Sequence, residues 1–173
     1  LPKDIRAFMA RAGELGASQA LTFLGEVDGI NMRRRTRLVE MAREISGGSL
    51  IGVNVAVLGA AFKPDSDDVR DSPALNIAGQ IQLQGASVTV YDPKAVDNSR
   101  KLFPTLNYAR DVKGACDQAD ITLVLTEWEE FRKLEPADLD TIVRGRRIID
   151  GRNCLDRAKW RNAGWVYRGM GRR

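Results

Sequence analysis

The sequence predicts an α/β fold, a parallel sheet with helices on both faces, and three observations carry the prediction. From Val53 onward, β-branched runs alternate with amphipathic stretches: "VNVAVLG", a helix from Ser72, "SVTVYDP", a helix near Asp111, "ITLVLT", another helical stretch and "RRIID". Val53 to Leu58 and Ile121 to Leu125 are almost wholly apolar, as strands buried on both faces should be. A length of 173 residues with 43% hydrophobic content can fill a core.

The elements follow in order. Residues 3–16 read as a short helix, with Ile5, Phe8, Met9 and Ala12 at helical spacing and Gly13 and Gly16 near its close. A longer helix follows, with Ser18 as its expected N-cap. Its stripe of Leu21, Leu24, Val27, Ile30, Leu38, Met41 and Ile45 ends at Ser46-Gly47-Gly48. Such a stripe cannot be buried against itself, so this segment is expected to pack on the following domain, on further polypeptide or on a second copy of the chain. The composition changes after Gly48, which sets the expected boundaries at 1–48 for the helical segment and 49–173 for the sheet domain.

Composition narrows the chemistry. There is no histidine, so the commonest general base and metal ligand are missing, and proton transfer falls to Asp, Glu, Lys or water. A formal charge of +4, from 27 basic and 23 acidic residues, favours phosphate ligands only weakly. No apolar run is long enough to span a bilayer, and two cysteines without a secretory signal fit a reducing compartment, so a cytoplasmic setting without membrane attachment is expected. The opening "LPKDIRAF" has no initiator Met and no leader, which reads as a piece of a longer protein.

The run "VLGAAFKPDSDDVRDSPALNIAGQ" leads from a strand through a loop into a helix. Ser72-Pro73 marks the helix start, Ser as N-cap and Pro at the first position. The loop thus lies at the carboxyl end of a parallel strand, where open α/β sheets bind ligands. A dinucleotide fingerprint requires G-x-G-x-x-G, but "LGAAFKP" has Gly59 alone before bulky Phe62. Asp92 could hold a ribose, although a strand terminus with a turn is the stronger reading. Lys63 and Arg70 could each contact phosphate, or join a local salt-bridge set with Asp65, Asp67, Asp68 and Asp71. That acidic run lacks the Gly and distal Glu of a calcium loop, so solvated side chains outweigh a metal site.

"DGRN" at Asp150 to Asn153 puts Arg152 on the same rim, where two positive groups from separate loops would converge on an anionic ligand. Cys154 beside Arg152 could be proposed as a thiolate nucleophile, since a nearby cation stabilises that form, but this is the weaker reading of it, and Cys116 reads as a small buried residue. Arg33, Arg34, Arg35 and Arg37 are contiguous and so point around a helix. With Glu26, Asp28, Glu40 and Glu44 nearby, a solvated surface accounts for them better than nucleic acid.

"LPKDIRAF", a long helix with "VDGIN", "VLGAAFKPDSDDVRDSPA", "VTVYDP", "LTEW" and "IIDGRN", in this order, resemble the nucleotide-sugar dehydrogenases (the UDP-glucose/GDP-mannose dehydrogenase family), most closely those acting on UDP-glucose. The resemblance covers essentially the whole chain. It implies a helical dimerisation segment followed by a Rossmann-like UDP-binding domain, with the catalytic cysteine just before Leu1 and an NAD-binding domain upstream. The reaction it implies oxidises the sugar C6 alcohol to a carboxylate with two NAD, through a cysteine thiohemiacetal and a thioester that water hydrolyses. This chain alone would then be inactive.

Position by position, the resemblance implies that Asp4 helps position or activate the hydrolytic water and that Lys3 lies in the cofactor-side loop. It places Phe62, Lys63 and Arg152 on the UDP-sugar, Arg70 toward NAD, and Asn31 in a structural or site-supporting role. It also implies a homodimer through the long helix. Leu1 stands where many UDP-glucose enzymes have Phe, and similar loops occur in GDP-mannose and UDP-acetamido-sugar dehydrogenases. Those substrates, and a non-catalytic nucleotide-binding module, are the alternatives.

Overall fold

The computed structural model describes residues 2–16 and 22–171, with side chains described for 5, 7–16 and 23–171. The chain divides into two compact units, Leu1–Arg37 and Leu38–Arg173, a boundary that falls within the long helix, upstream of the composition break.

The first unit contains α1 (Pro2–Glu14) and the larger part of α2 (Thr22–Ile45). Ser18, the expected cap of α2, lies outside the described residues. The two helices meet where a Cβ on Gly25 would sit 3.4 Å from the Met9 methyl carbon, so the missing side chain allows close approach. Phe8, Phe23, Val27 and Ile30 are all exposed, and the last three recur at i, i+4 and i+7 along α2. Arg35 is buried while Arg33, Arg34 and Arg37 are exposed, so the basic run does not form a continuous face.

The second unit opens with the last turns of α2, which bury Leu38, Val39, Met41 and Ala42 in its core. Gly47 and Gly48 then take positive φ angles of 84° and 103°, and the Gly48 N–H donates to the Arg43 carbonyl at 2.9 Å, closing the helix. The chain continues through β1 (Asn54–Leu58), α3 (Pro73–Leu83), β2 (Ser87–Tyr91), α4 (Val96–Leu102), β3 (Asn107–Tyr108), α5 (Val112–Cys116) and β4 (Ile121–Val124). After these come α6 (Glu129–Arg132), α7 (Pro136–Leu139), β5 (Arg147–Asp150), α8 (Arg157–Asn162) and β6 (Val166–Gly169).

The six strands form one parallel sheet in the order β3-β2-β1-β4-β5-β6. Val55 pairs with Val88 on one side and Ile121 on the other, and Thr122 pairs with Ile148. From β1 the chain steps outward to β2 and β3, then returns to β4 and steps the other way. Right-handed crossovers therefore place the connecting helices on opposite faces of the sheet, as the α/β reading requires. All four residues of β4 are buried, and only Asn54 at the start of β1 is partly exposed. Two strands escaped the sequence reading: β3 is two residues long, and β6 buries only Tyr167 and Gly169 of its four residues. Neither offers a period long enough to read.

Candidate functional site: the carboxyl edge of the sheet

Because every strand is parallel, the loops after β1, β2, β4 and β5 leave one edge. The order of strands reverses between β1 and β4, so the crevice opens there. Gly59 begins the first of these loops at φ 102°, and a Cβ on it would lie 2.6 Å from the Thr126 backbone nitrogen. Only glycine lets the two strand ends come this close.

The loop is then drawn inward by a carboxylate. The N–H groups of Ala60 and Ala61 donate to Asp92 Oδ2 at 2.8 and 2.9 Å, and Trp128 Nε1 donates to the same oxygen at 3.1 Å. Lys94 and Ala95 N–H donate to Oδ1 at 3.0 and 2.9 Å. Asp92 is 2% exposed and its oxygens are committed to the fold, so the strand-terminus reading holds and the ribose reading does not. In a dinucleotide fold the N–H groups after the first strand cradle a pyrophosphate. Here those of Ala60 and Ala61 are used by the protein's own anion.

Ser72 donates to the Ala60 carbonyl at 2.5 Å and accepts from Leu75 N–H at 3.3 Å, so one hydroxyl both anchors the loop and caps α3. Thr126 Oγ1 donates to the Ala61 carbonyl at 2.9 Å. With the backbone held from three sides, Phe62 and Lys63 are left exposed, and Lys63 has no ion-pair partner among the described residues. The acidic run beyond them is dispersed into local contacts: Asp65 toward Lys94, Asp67 accepting from Asn98, and Asp68 gripping Arg70. Arg70 Nε and Nη2 donate to the two Asp68 oxygens at 2.9 and 2.8 Å, which raises the guanidinium pKa at a fully exposed site. Among the described residues no group of three or more His, Cys, Asp or Glu could hold a metal ion.

Asp150, also fully buried, organises the second loop. Its Oδ1 accepts from Arg152 N–H at 3.0 Å, and its Oδ2 accepts from Leu155 N–H at 2.8 Å and Tyr167 Oη at 2.9 Å. Asn153 takes a φ of 53° and donates from Nδ2 to the Met170 carbonyl at 3.0 Å. Arg152 meets Glu127, from the loop after β4, through Nε at 2.5 Å and Nη2 at 2.9 Å. This paired geometry holds the Glu127 carboxyl below its ordinary value and the Arg152 guanidinium above its own. Glu127, Arg132, Gly151, Arg152, Asn153 and Cys154 line a cleft of about 270 Å³.

Cys154 does not behave as its neighbour suggested. Burial pushes its thiol up to about 12, the nearby Asp150 charge adds to this, and the positive charge of Arg132 offsets it only in part. The thiolate reading is thereby overturned, because desolvation and a carboxylate outweigh the cations. Cys116 is buried as expected, and burial pushes it up to about 12 as well.

The structure puts the Phe62–Lys63 loop and the Arg152 loop on one edge, separated by β4. Two strand spacings span roughly 10 Å, a distance a nucleotide can bridge. Phe62 and Lys63 do not line the cleft that holds Arg152. The side chains of Lys3 and Asp4 lie outside the described residues. Glu127 in "LTEW" and Arg132 were missed from sequence because no local motif marks either of them. Placing β4 between β1 and β5 would have pointed to them.

Residues 56–157, more than half of the chain, match the UDP-binding domain of the UDP-glucose/GDP-mannose dehydrogenase family. The chain belongs to that family. The family's UDP-binding domain is thus the unit built on this sheet, and Arg152 and the Phe62–Lys63 loop fall within the match. UDP-glucose 6-dehydrogenase TuaD of Bacillus subtilis (strain 168) is 36% identical over 99% of this chain and 37% of its own length. A solved UDP-glucose dehydrogenase from the hyperthermophilic archaeon Pyrobaculum islandicum is 32% identical with a TM-score of 0.76, covering 98% of this chain and 36% of that one. UDP-D-ManNAc dehydrogenase from Pyrococcus horikoshii is 25% identical with a TM-score of 0.66, covering 91% and 34%. The chain therefore spans about a third of the length of these relatives of the UDP-glucose/GDP-mannose dehydrogenase family.

Proposed function

We propose that the chain binds the UDP portion of a nucleotide sugar at the carboxyl edge of its sheet, within an enzyme that oxidises UDP-glucose to UDP-glucuronate with two NAD. The observation that carries this reading is the shared edge: exposed Phe62 and Lys63 stand on the same edge as Arg152 with the single strand β4 between their loops, in a domain whose family match is UDP-binding. In this reading Phe62, Lys63 and Arg152 contact the UDP-sugar. Arg70, once released from Asp68, reaches NAD. Lys3 lies beside the cofactor and Asp4 handles the hydrolytic water. By itself the chain turns nothing over: both of its cysteines are pushed up to about 12, so neither supplies the thiolate that the chemistry needs. UDP-glucose is preferred to other sugars because two of the relatives above carry that substrate in their names, at higher identity than the acetamido-sugar enzyme.

Titration calorimetry of the chain with UDP and UDP-glucose tests the site. Binding is expected, weakened in Lys63→Ala and Arg152→Ala, and unchanged affinity in both variants would defeat the assignment. A homodimer through the long helix belongs to the same proposal, supported by exposed Phe23, Val27 and Ile30 on α2. Sedimentation velocity checks it, and a monomer at every concentration would overturn it. A cytoplasmic setting is also proposed, in keeping with two free thiols. Among the described residues no helix is long and apolar enough to cross a membrane.

A further inference from the structure

Two guanidinium groups line the cleft beside "DGRN", and they differ electrically. Glu127 occupies the side edge of Arg152, engaging Nε and Nη2, so the pair carries no net charge. What Arg152 still offers is its outer edge, Nη1 and the second hydrogen of Nη2, aimed by the carboxylate behind it. Arg132 is exposed on α6, one turn beyond Trp128, and has no ion-pair partner among the described residues. Its charge reaches the site nonetheless: it adds to the Arg152 contact that holds Glu127 down, and it offsets part of the burial that raises Cys154. Asp150, the other carboxylate close by, already accepts hydrogen bonds from Arg152 N–H, Leu155 N–H and the Cys154 thiol of its own loop and from Tyr167.

We propose that Arg132 is the phosphate-reading cation of this cleft, and that Glu127 is a positioning residue that turns Arg152 into an oriented hydrogen-bond donor of little net charge. The proposal rests on the nucleotide reading above and deepens it by dividing the labour. Arg132 supplies the attraction for the diphosphate, and Arg152, held rigidly, supplies direction. A cleft with two uncompensated guanidinium groups would attract any polyanion. One compensated and one free leaves a weaker field, in which geometry contributes a larger share of recognition.

The test is calorimetric titration of the 173-residue chain with UDP, at low and at high sodium chloride, in the wild type, Arg132→Ala and Glu127→Gln. Arg132→Ala is expected to bind UDP about tenfold more weakly at low salt, in line with loss of a charge-assisted hydrogen bond, and to lose a clear part of the salt dependence of binding, the remainder belonging to Lys63. Glu127→Gln is expected to steepen that dependence, since Arg152 is then uncompensated. An Arg132→Ala variant with wild-type affinity, or one that binds weakly while keeping the wild-type salt dependence, overturns the proposal. The second result would mark Arg132 as merely structural. A wild-type chain that fails to bind UDP overturns the nucleotide reading itself and this inference with it. That outcome is distinct from a binding wild type with an indifferent Arg132.

Discussion

Asp92 and Asp150 share a logic at the scale of single residues: each stands at the end of a strand and gives its carboxylate to the loop that follows, and Asp92 also holds the loop after β1. Asp92→Asn would remove the charge and one acceptor oxygen, turning an amide NH2 toward donors that need an acceptor. The expected cost is about 2–4 kcal/mol, since a buried polar group left unpaired loses its full solvation. Urea denaturation of the variant checks this, and a midpoint within error of wild type would disprove it. "YDP" was legible as a strand terminus because Pro cannot continue a ladder. The donors that converge on Asp92 were not, since Ala60, Ala61 and Trp128 lie 32, 31 and 36 positions away. Cys154 shows the same limit in reverse. A cation, Arg152, stands two positions away in sequence, but the surroundings of Cys154 are set by burial and Asp150, and these raise its pKa.

Among the elements, α3 is the clearest case of local sequence dictating local structure. Ser72 caps it, Pro73 begins it, and Ala74, Leu75, Ile77, Ala78 and Ile81 bury one face. Ser72 does more than cap, because its hydroxyl also donates to the Ala60 carbonyl and ties the candidate site to the helix start. Ser72→Ala should therefore cost more than a surface cap: about 1–2 kcal/mol for the cap and about 1 kcal/mol more for the orphaned carbonyl. Thermal melting measures the sum, and a loss well under 1 kcal/mol would show that the loop is held without it. The long helix α2 was legible from its stripe and its Gly47-Gly48 stop, and β1 and β4 from their unbroken apolar runs. The edge strands β3 and β6 were not, because such short segments are strands only by virtue of the neighbour they pair with.

At the scale of the whole molecule, the Glu127–Arg152 pair couples stability to pH as it bridges the loops after β4 and β5. The folded state holds Glu127 below its ordinary value of 4.5. Its contribution is accordingly complete above the unfolded value and is lost as pH falls through the folded one. Melting curves of the wild type and Glu127→Gln should differ at neutral pH and converge in acid below that range. A gap that persists unchanged in acid would show that the carboxylate charge is not what bridges the loops. The pair is partly exposed, so the gap is expected to be small and to shrink with salt. The sequence by itself determined the α/β class, the rim on which Lys63 and Arg152 both stand, and membership of a dehydrogenase family, because periodicity, caps and ordered motifs are properties of neighbours along the chain. Only the tertiary structure decided that Asp92 fills the anion cradle after β1, that Glu127 neutralises Arg152, that Cys154 stays a thiol and that Arg132 enters the cleft. Each of these depends on charges and burial brought together by strand order, which no local window of sequence contains.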